Sequence, residues 1–309
     1  MFSLFKKKTP VPEWANFFTS DEYSAFIEAL EKYMTTRNIK FTEEDGIIHL
    51  PNKDFGSVQN GLLNIAQVCK QNGKNHYGAA IAQHFDGLKR IAAFDEEFKK
   101  IENDFEKVRQ YVAVRLYYEE YAQGIGTEHT VIKPIGGDII AMLVFDLPDA
   151  VINIKPALVQ AWNMSIDDAF KVGIDNLRQK YTTEITRQKL GNLDLWFATG
   201  SHFFVGNTVF EFELKPELVG SFGSLIGLPH RHAALIYPIE NFDVVQAINT
   251  LIPVVKGMFN EGPGSLSDNL LWYRDGKYTN LPYRVEDKKL SFMPPKEFVD
   301  MIQTLPQPK

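Results

Sequence analysis

The longest uninterrupted apolar run of the chain, IIAMLVF at residues 139–145, constrains the fold more than any other feature. It is far shorter than the roughly 20 residues that a membrane-crossing helix requires. A short apolar run that ends in turn-forming residues and is rich in strand-favouring side chains indicates a strand buried on both faces. The sequence therefore predicts a sheet that is covered by other layers of structure.

The pattern of apolar residues changes near position 110. Segments 19–34, 57–71 and 77–110 repeat apolar residues every three or four positions, which is typical of helices, and Asp45-Gly46 predicts one small hairpin between them. From residue 111 onward, strand patterns and hairpin signals such as Asp275-Gly276 dominate, with only a few helical segments between them.

These patterns predict an α+β fold in two parts. Residues 1–110 form a mostly helical N-terminal unit with a small hairpin, and residues 111–309 form a predominantly antiparallel sheet with packed helices. No linker of low complexity marks the boundary, so a single compact unit is the alternative.

Three local predictions for the second part concern single segments. HFFVGNTVFEFEL at residues 202–214 and HRHAALIYPI at residues 230–239 have the composition of strands. NFDVVQAINTLIPVVKGMF at residues 241–259 has helical spacing, and Pro253 is expected to kink or end that helix.

Composition narrows the classes of partner. A formal net charge of −6 disfavours general binding to nucleic acid, which requires a basic face. No segment is long and apolar enough to predict a transmembrane helix. The single cysteine, Cys69, excludes an intramolecular disulfide and falls at an apolar position of a predicted helix, where a buried role is expected. This pattern favours a reducing cytoplasm.

Four stretches carry a resemblance to a known family: LVFDLPDAV, AWNMSIDDAFKVGIDNL, LPHRHAALIYPI and SDNLLWYRDGKY. With them, the chain resembles the YtpQ-like family of uncharacterised bacterial proteins over most of its length. The resemblance implies an α+β fold and a bacterial intracellular setting, and it implies no reaction. The Pro-x-Arg tripeptide of that family is matched by Pro229 and Arg231, but His232 stands where the family usually has an aspartate.

The stretch GLPHRHAAL places two histidines on either side of an arginine. If it is a strand, His230 and His232 point to the same face and can hold one zinc ion, given a third ligand such as His202 or Asp268. The alternative is that both histidines are structural, one against the sheet and the other hydrogen-bonded at its edge. We favour this alternative, and we predict no metal site, no cofactor and no requirement for zinc.

Arg231 would then face the opposite side, among apolar neighbours, where a guanidinium needs a carboxylate partner or an anionic ligand. Asp146 and Asp149 flank Pro148 directly after the apolar strand, and we predict that one of them pairs with Arg231. The two aspartates can also serve as an acid and base pair or, more simply, shape a turn.

Two functional hypotheses follow. No complete dinucleotide, Walker, Gly-x-Ser-x-Gly or His-Glu-x-x-His motif occurs, which favours a non-enzymatic binding module for a protein or a small ligand. The alternative is a hydrolase that uses His230 and His232 with an acidic residue, with or without a metal. The predicted binding residues are Asp146, Asp149, His230, Arg231 and His232.

Overall fold

The fold is described from a computed structural model, which covers residues 10–126, 128–148, 150–261, 264–286 and 289–308. The chain divides into two compact units. Met1–Glu102 and Pro148–Ala150 belong to the first unit, and Asn103–Leu147 and Val151–Lys309 belong to the second unit.

The first unit consists of three helices and a small antiparallel sheet among its described residues. Its elements are α1 (Ser20–Thr36), β1 (Thr42–Glu44), β2 (Ile47–His49), β3 (Gln59–Gly61), α2 (Leu63–Asn72) and α3 (Tyr77–Lys99).

Local chemistry explains where these elements begin and turn. A capping box between Thr19, the N-cap, and Glu22 starts α1. The β1–β2 hairpin turns at Asp45 and Gly46, whose φ angles of 48° and 77° suit the tight turn that was predicted there. Cys69 is fully buried in the core of this unit, as expected.

The second unit begins with a four-stranded antiparallel sheet in the order β4-β6-β5, with β7 also paired to β6. Its elements are α4 (Phe105–Val108), β4 (Val112–Tyr118), α5 (Glu119–Ile125), β5 (Ile132–Gly136), β6 (Ile139–Asp146), β7 (Val151–Asn153), α6 (Pro156–Ala161) and α7 (Ile166–Lys180).

A six-stranded antiparallel sheet follows, in the order β13-β12-β10-β11-β9-β8. Its strands and the remaining elements are β8 (Glu184–Leu190), β9 (Leu193–Thr199), β10 (Ser224–His230), β11 (Ala233–Pro238), α8 (Val244–Glu261), β12 (Leu270–Arg274), β13 (Lys277–Leu281), β14 (Tyr283–Glu286), β15 (Lys289–Phe292) and α9 (Lys296–Gln303). The predicted α+β fold with antiparallel sheets and packed helices is therefore confirmed, with the strands divided over two large sheets and the β14–β15 pair.

The apolar strand that dominates the sequence is the centre of the first sheet. Every residue of β6 is buried, because β4 and β5 flank it in the sheet and other layers cover its faces. Helix α7 packs on β4, and Gly173 permits that approach: a Cβ atom there would lie 2.9 Å from the Ala113 carbonyl carbon. The core of the second sheet lies under α8 and α9.

One local prediction is wrong and two are wrong in part. Residues 205–211 form a 3-10 helical segment instead of a strand, held by a hydrogen bond from Thr208 Oγ1 to the Val205 carbonyl and by one from the Asn207 amide to the Val114 carbonyl of β4. Helix α8 continues through Pro253 to Glu261, so Pro253 does not end it, and a kink there stays a prediction. Residues 233–238 form the predicted strand as β11, but His230 ends β10, so 230–239 is not one strand.

Candidate functional site

The two predicted histidines lie at the hairpin turn between β10 and β11. His230 Nδ1 accepts a hydrogen bond of 3.2 Å from the backbone N–H of His232, which leaves the proton of a neutral His230 ring on Nε2. The two ring centroids are 6.2 Å apart. The strand alternation that was used to place these rings on one face therefore does not apply, and the turn itself brings them together.

Arg231 lies between the two histidines in this turn, and its hydrogen bonds are with backbone groups. Its N–H donates to the Gly264 carbonyl at 3.1 Å, and its own carbonyl accepts from the Val205 N–H at 3.2 Å. Its guanidinium lies so close to Gly264 that a Cβ atom there would overlap it, and the φ of +71° at Gly264 also favours glycine. In the described part of the chain, Arg231 has no carboxylate partner.

Asp146 instead binds the end of α7, so the predicted Arg231–Asp146 pair is wrong. Its Oδ2 accepts from Lys180 Nζ at 2.5 Å and from the Tyr181 hydroxyl at 2.7 Å. Asp146 is 6% exposed, so its expected need for a donor is met, but by other residues. Burial alone would lower the pKa of Lys180, but the hydrogen bond and charge of Asp146 raise it overall. Asp149 lies outside the described residues, and its role stays a prediction.

A third histidine, His202, lies next to this group. Its Nε2 donates to the Thr182 carbonyl at 3.2 Å and its Nδ1 accepts from the Phe204 N–H at 3.2 Å, so both ring nitrogens are occupied. The ring stacks on Tyr181 at 4.8 Å between centroids. Burial lowers the pKa of His202, which favours the neutral ring and agrees with a structural role.

Zinc binding at the histidines would require a third ligand. Within the described residues, no group of three or more histidine, cysteine, aspartate or glutamate side chains is arranged to hold a metal ion. His202 is near His232, but its ring nitrogens have the partners just given, and Asp268 accepts from the Tyr283 hydroxyl at 3.3 Å.

The sequence did not single out the most unusual residue of this region, Arg115 on β4. Its side chain is 8% exposed, and its Nε is buried without a hydrogen-bond partner. The Cζ atom lies 5.2 Å from the ring centroid of Tyr117 and 5.5 Å from that of Phe203. Burial raises the pKa of Tyr117, while the charge of Arg115 and a hydrogen bond from it act in the opposite direction.

Aromatic rings extend this arrangement on both sides. Tyr121 stacks on Tyr117 at 4.7 Å with an interplanar angle of 5°, and Phe203 meets His232 edge-on at 5.1 Å. Burial lowers the pKa of His232, and the positive charge of Arg115 adds to this shift. We call Arg115, Tyr117, Tyr121, Phe203 and His232 the Arg115 cluster.

The cluster combines a buried cation, exposed aromatic surface and no carboxylate of the described chain paired with Arg115. Of the predicted residues, His230 and His232 lie in or beside it, Arg231 is adjacent in the turn, and Asp146 reaches the same region through Tyr181 and His202. The one sequence signal for Arg115 was a charged residue between Val114 and Leu116 in an otherwise strand-like apolar run.

No protein-family model, curated protein or solved structure matches this chain. The resemblance to the YtpQ-like family therefore stays a prediction. None of the helices in the described ranges has the length and apolarity that a membrane crossing demands.

Proposed function

We propose that the second unit is a binding module for a small ligand that carries a negative charge, held at the Arg115 cluster. The observation that supports this proposal is Arg115, a cation that is 8% exposed and whose Nε is buried without a hydrogen-bond partner. Taking an ion out of water costs several kcal/mol, and cation–π contacts offset roughly 0.5–2 kcal/mol each. These contacts with Tyr117 and Phe203, together with the hydrogen bond from Arg115 to Tyr117, therefore compensate only part of the cost, and a bound anion would compensate the rest.

Another arginine of the second unit has carboxylate partners that compensate the desolvation of its guanidinium. Arg178 of α7 binds Glu211 at 2.8 Å, Asp175 at 3.0 Å and the Phe210 carbonyl at 2.9 Å. Arg178 lines a cavity of about 360 Å³ that also includes Lys215. Because the Arg178 guanidinium already has two carboxylates, an anion has less to gain there than at Arg115.

The hydrolase alternative lacks a specific observation in its favour. No carboxylate in the described chain hydrogen-bonds to the ring of His230 or His232, and Asp146 is occupied by Lys180 and Tyr181. Ser267 is fully buried, and its hydroxyl donates a hydrogen bond of 2.7 Å to Asp138. This contact gives Ser267 a structural role instead of that of a nucleophile. We keep a bacterial cytoplasmic setting as part of the proposal: the resemblance to the YtpQ-like family implies the bacterial source, and the free thiol of Cys69 agrees with a reducing cytoplasm.

Thermal unfolding in different salts tests the proposal. A series of sodium carboxylates from formate to hexanoate would replace sodium chloride at constant ionic strength and pH 7.5. A ligand that binds only the folded state stabilises it by about 2.7 kcal/mol at one hundred times its Kd, so at least one carboxylate should raise the Tm with its concentration.

Arg115→Met should remove this rise. The matched control is Arg187→Met, because Arg187 is an exposed arginine of β8, and it should keep the wild-type response. A Tm that is equal in chloride and in every carboxylate would refute the proposal, and so would a rise that survives Arg115→Met.

A further inference from the structure

We infer that the ligand of the Arg115 cluster is a planar aromatic ring bearing one carboxylate. This inference rests on the proposed function and adds the chemical class of the ligand. It follows from the geometry of a guanidinium beside aromatic rings and from the charges of the groups around it.

The guanidinium of Arg115 sets the direction from which a carboxylate approaches. The N–H donors of a guanidinium lie in its own plane, and a carboxylate that binds two of them lies in that plane too. In an aryl carboxylate the ring is conjugated with the carboxylate, so it continues in the same plane. Tyr117 and Phe203 have their ring centroids 5.2 and 5.5 Å from Arg115 Cζ, so a ring held by this carboxylate would lie within reach of both aromatic side chains.

The ring of such a ligand would meet an exposed aromatic surface. Phe203 is 51% exposed and Tyr121 is 50% exposed, although both are large aromatic side chains. Phe203 lies directly beside Arg115, and Tyr121 lies behind Tyr117 in the stack. Aromatic pairs attract beyond the area that they bury, so an aromatic ligand gains more from these rings than a saturated ligand of the same size.

The charge of the Arg115 cluster favours a ligand with a single negative charge. Burial lowers the pKa of His202, His230 and His232, which favours their neutral forms at pH 7.5. Arg115 is then the one charged member of the cluster, and a monoanion matches it. A phosphate dianion would leave a negative charge without a partner unless a histidine were protonated.

Isothermal titration with benzoate and with cyclohexanecarboxylate at pH 7.5 tests the inference, because these acids share their charge and approximate size and differ in aromaticity. Wild-type protein should bind benzoate roughly three- to tenfold more tightly. Phe203→Leu should reduce this preference to about twofold or less while cyclohexanecarboxylate still binds. Phe242→Leu is the control, since Phe242 is an exposed phenylalanine outside the cluster, and it should keep the preference. Arg115→Met should abolish the binding of both acids.

The outcomes separate the two proposals. Equal affinity for both acids, or a preference that Phe203→Leu does not change, would overturn the aromatic class while anion binding at Arg115 stands. Binding of an aliphatic carboxylate without any binding of benzoate would do the same. Absence of binding for benzoate and for every carboxylate of the formate-to-hexanoate series would overturn both the proposed function and this inference.

Discussion

Arg115→Met should stabilise the second unit in chloride buffer that contains no ligand. The substitution removes a buried cation, and the unbranched methionine retains most of the apolar packing of the arginine stem. Desolvation of the guanidinium costs several kcal/mol, and the two cation–π contacts, at roughly 0.5–2 kcal/mol each, together with the hydrogen bond to Tyr117, return only part of it. The free energy of unfolding should therefore rise by about 1–2 kcal/mol.

The assay must report on the second unit alone. Of the four tryptophans, Trp162, Trp196 and Trp272 belong to the second unit, while Trp14 belongs to the first. Urea unfolding would be followed by tryptophan fluorescence in a Trp14→Phe background. The indole Nε1 of Trp14 has no hydrogen-bond partner, so this change removes no such contact. A gain of 1 kcal/mol corresponds to roughly 2–4 °C in Tm for a unit of this size, which gives a second reading.

The expected sign distinguishes a ligand-binding arginine from a structural one. If Tyr117 and Phe203 fully satisfied Arg115, its removal would lower the free energy of unfolding. A loss of stability in Arg115→Met that exceeds the change in Arg187→Met would therefore refute the reasoning. It would also remove the observation on which the proposed function depends.

Four further predictions concern the surroundings of the cluster. Asp146→Asn and Lys180→Met should show a coupling energy of about 1–2 kcal/mol in a double-mutant cycle by urea unfolding, reduced from the value for a fully buried pair because Lys180 is 44% exposed. Asp146→Asn and Arg231→Met should be additive within about 0.5 kcal/mol, and coupling between them would restore the pairing expected from the sequence. Because burial lowers the pKa of His202, His230 and His232, the unfolded chain binds more protons than the fold below about pH 6.5, so stability should fall from pH 7.5 to pH 5.5. His230→Asn offers an amide oxygen in place of Nδ1 and should make this fall smaller, whereas an unchanged fall would show that His230 does not contribute. Gly173→Ala should lower the free energy of unfolding by about 1–3 kcal/mol, because its Cβ would press on the backbone of β4, and an unchanged unfolding curve would mean that α7 adjusts without cost.

Features that depend on short stretches of sequence were predictable. The apolar run of β6 and the hairpin at Asp275-Gly276 follow from residue types that suit few other conformations. The 205–211 segment did not follow, because its valine, threonine and phenylalanine side chains favour a strand, and long-range contacts such as the one from Asn207 to β4 decide its conformation. Local pattern therefore specified the main strands and helices, and tertiary hydrogen bonds decided the connections between them.

The candidate site was less predictable, for the same reason. The turn at Arg231 lacks the glycine, asparagine or aspartate that usually announces a hairpin, and the Gly264 carbonyl that holds it is distant in sequence. The burial of Asp146 at the end of β6 was predictable, but its donors depend on where α7 ends. The aromatic neighbour Phe203 comes from a loop far from β4 in the sequence, so the environment of Arg115 could not be read from its own strand.

The surroundings of the two arginines explain why the anion site is proposed at Arg115 and not at Arg231. Arg231 is only partly buried, and its backbone groups and guanidinium lie against the Gly264 loop, so it serves the turn. Arg115 breaks the apolar pattern of a core strand, and in the described chain it receives no carboxylate in return. A charged residue in an apolar strand that has no carboxylate partner lowers stability, and such residues are expected at functional sites. We therefore propose for Arg115 the anionic partner that the sequence predicted for Arg231.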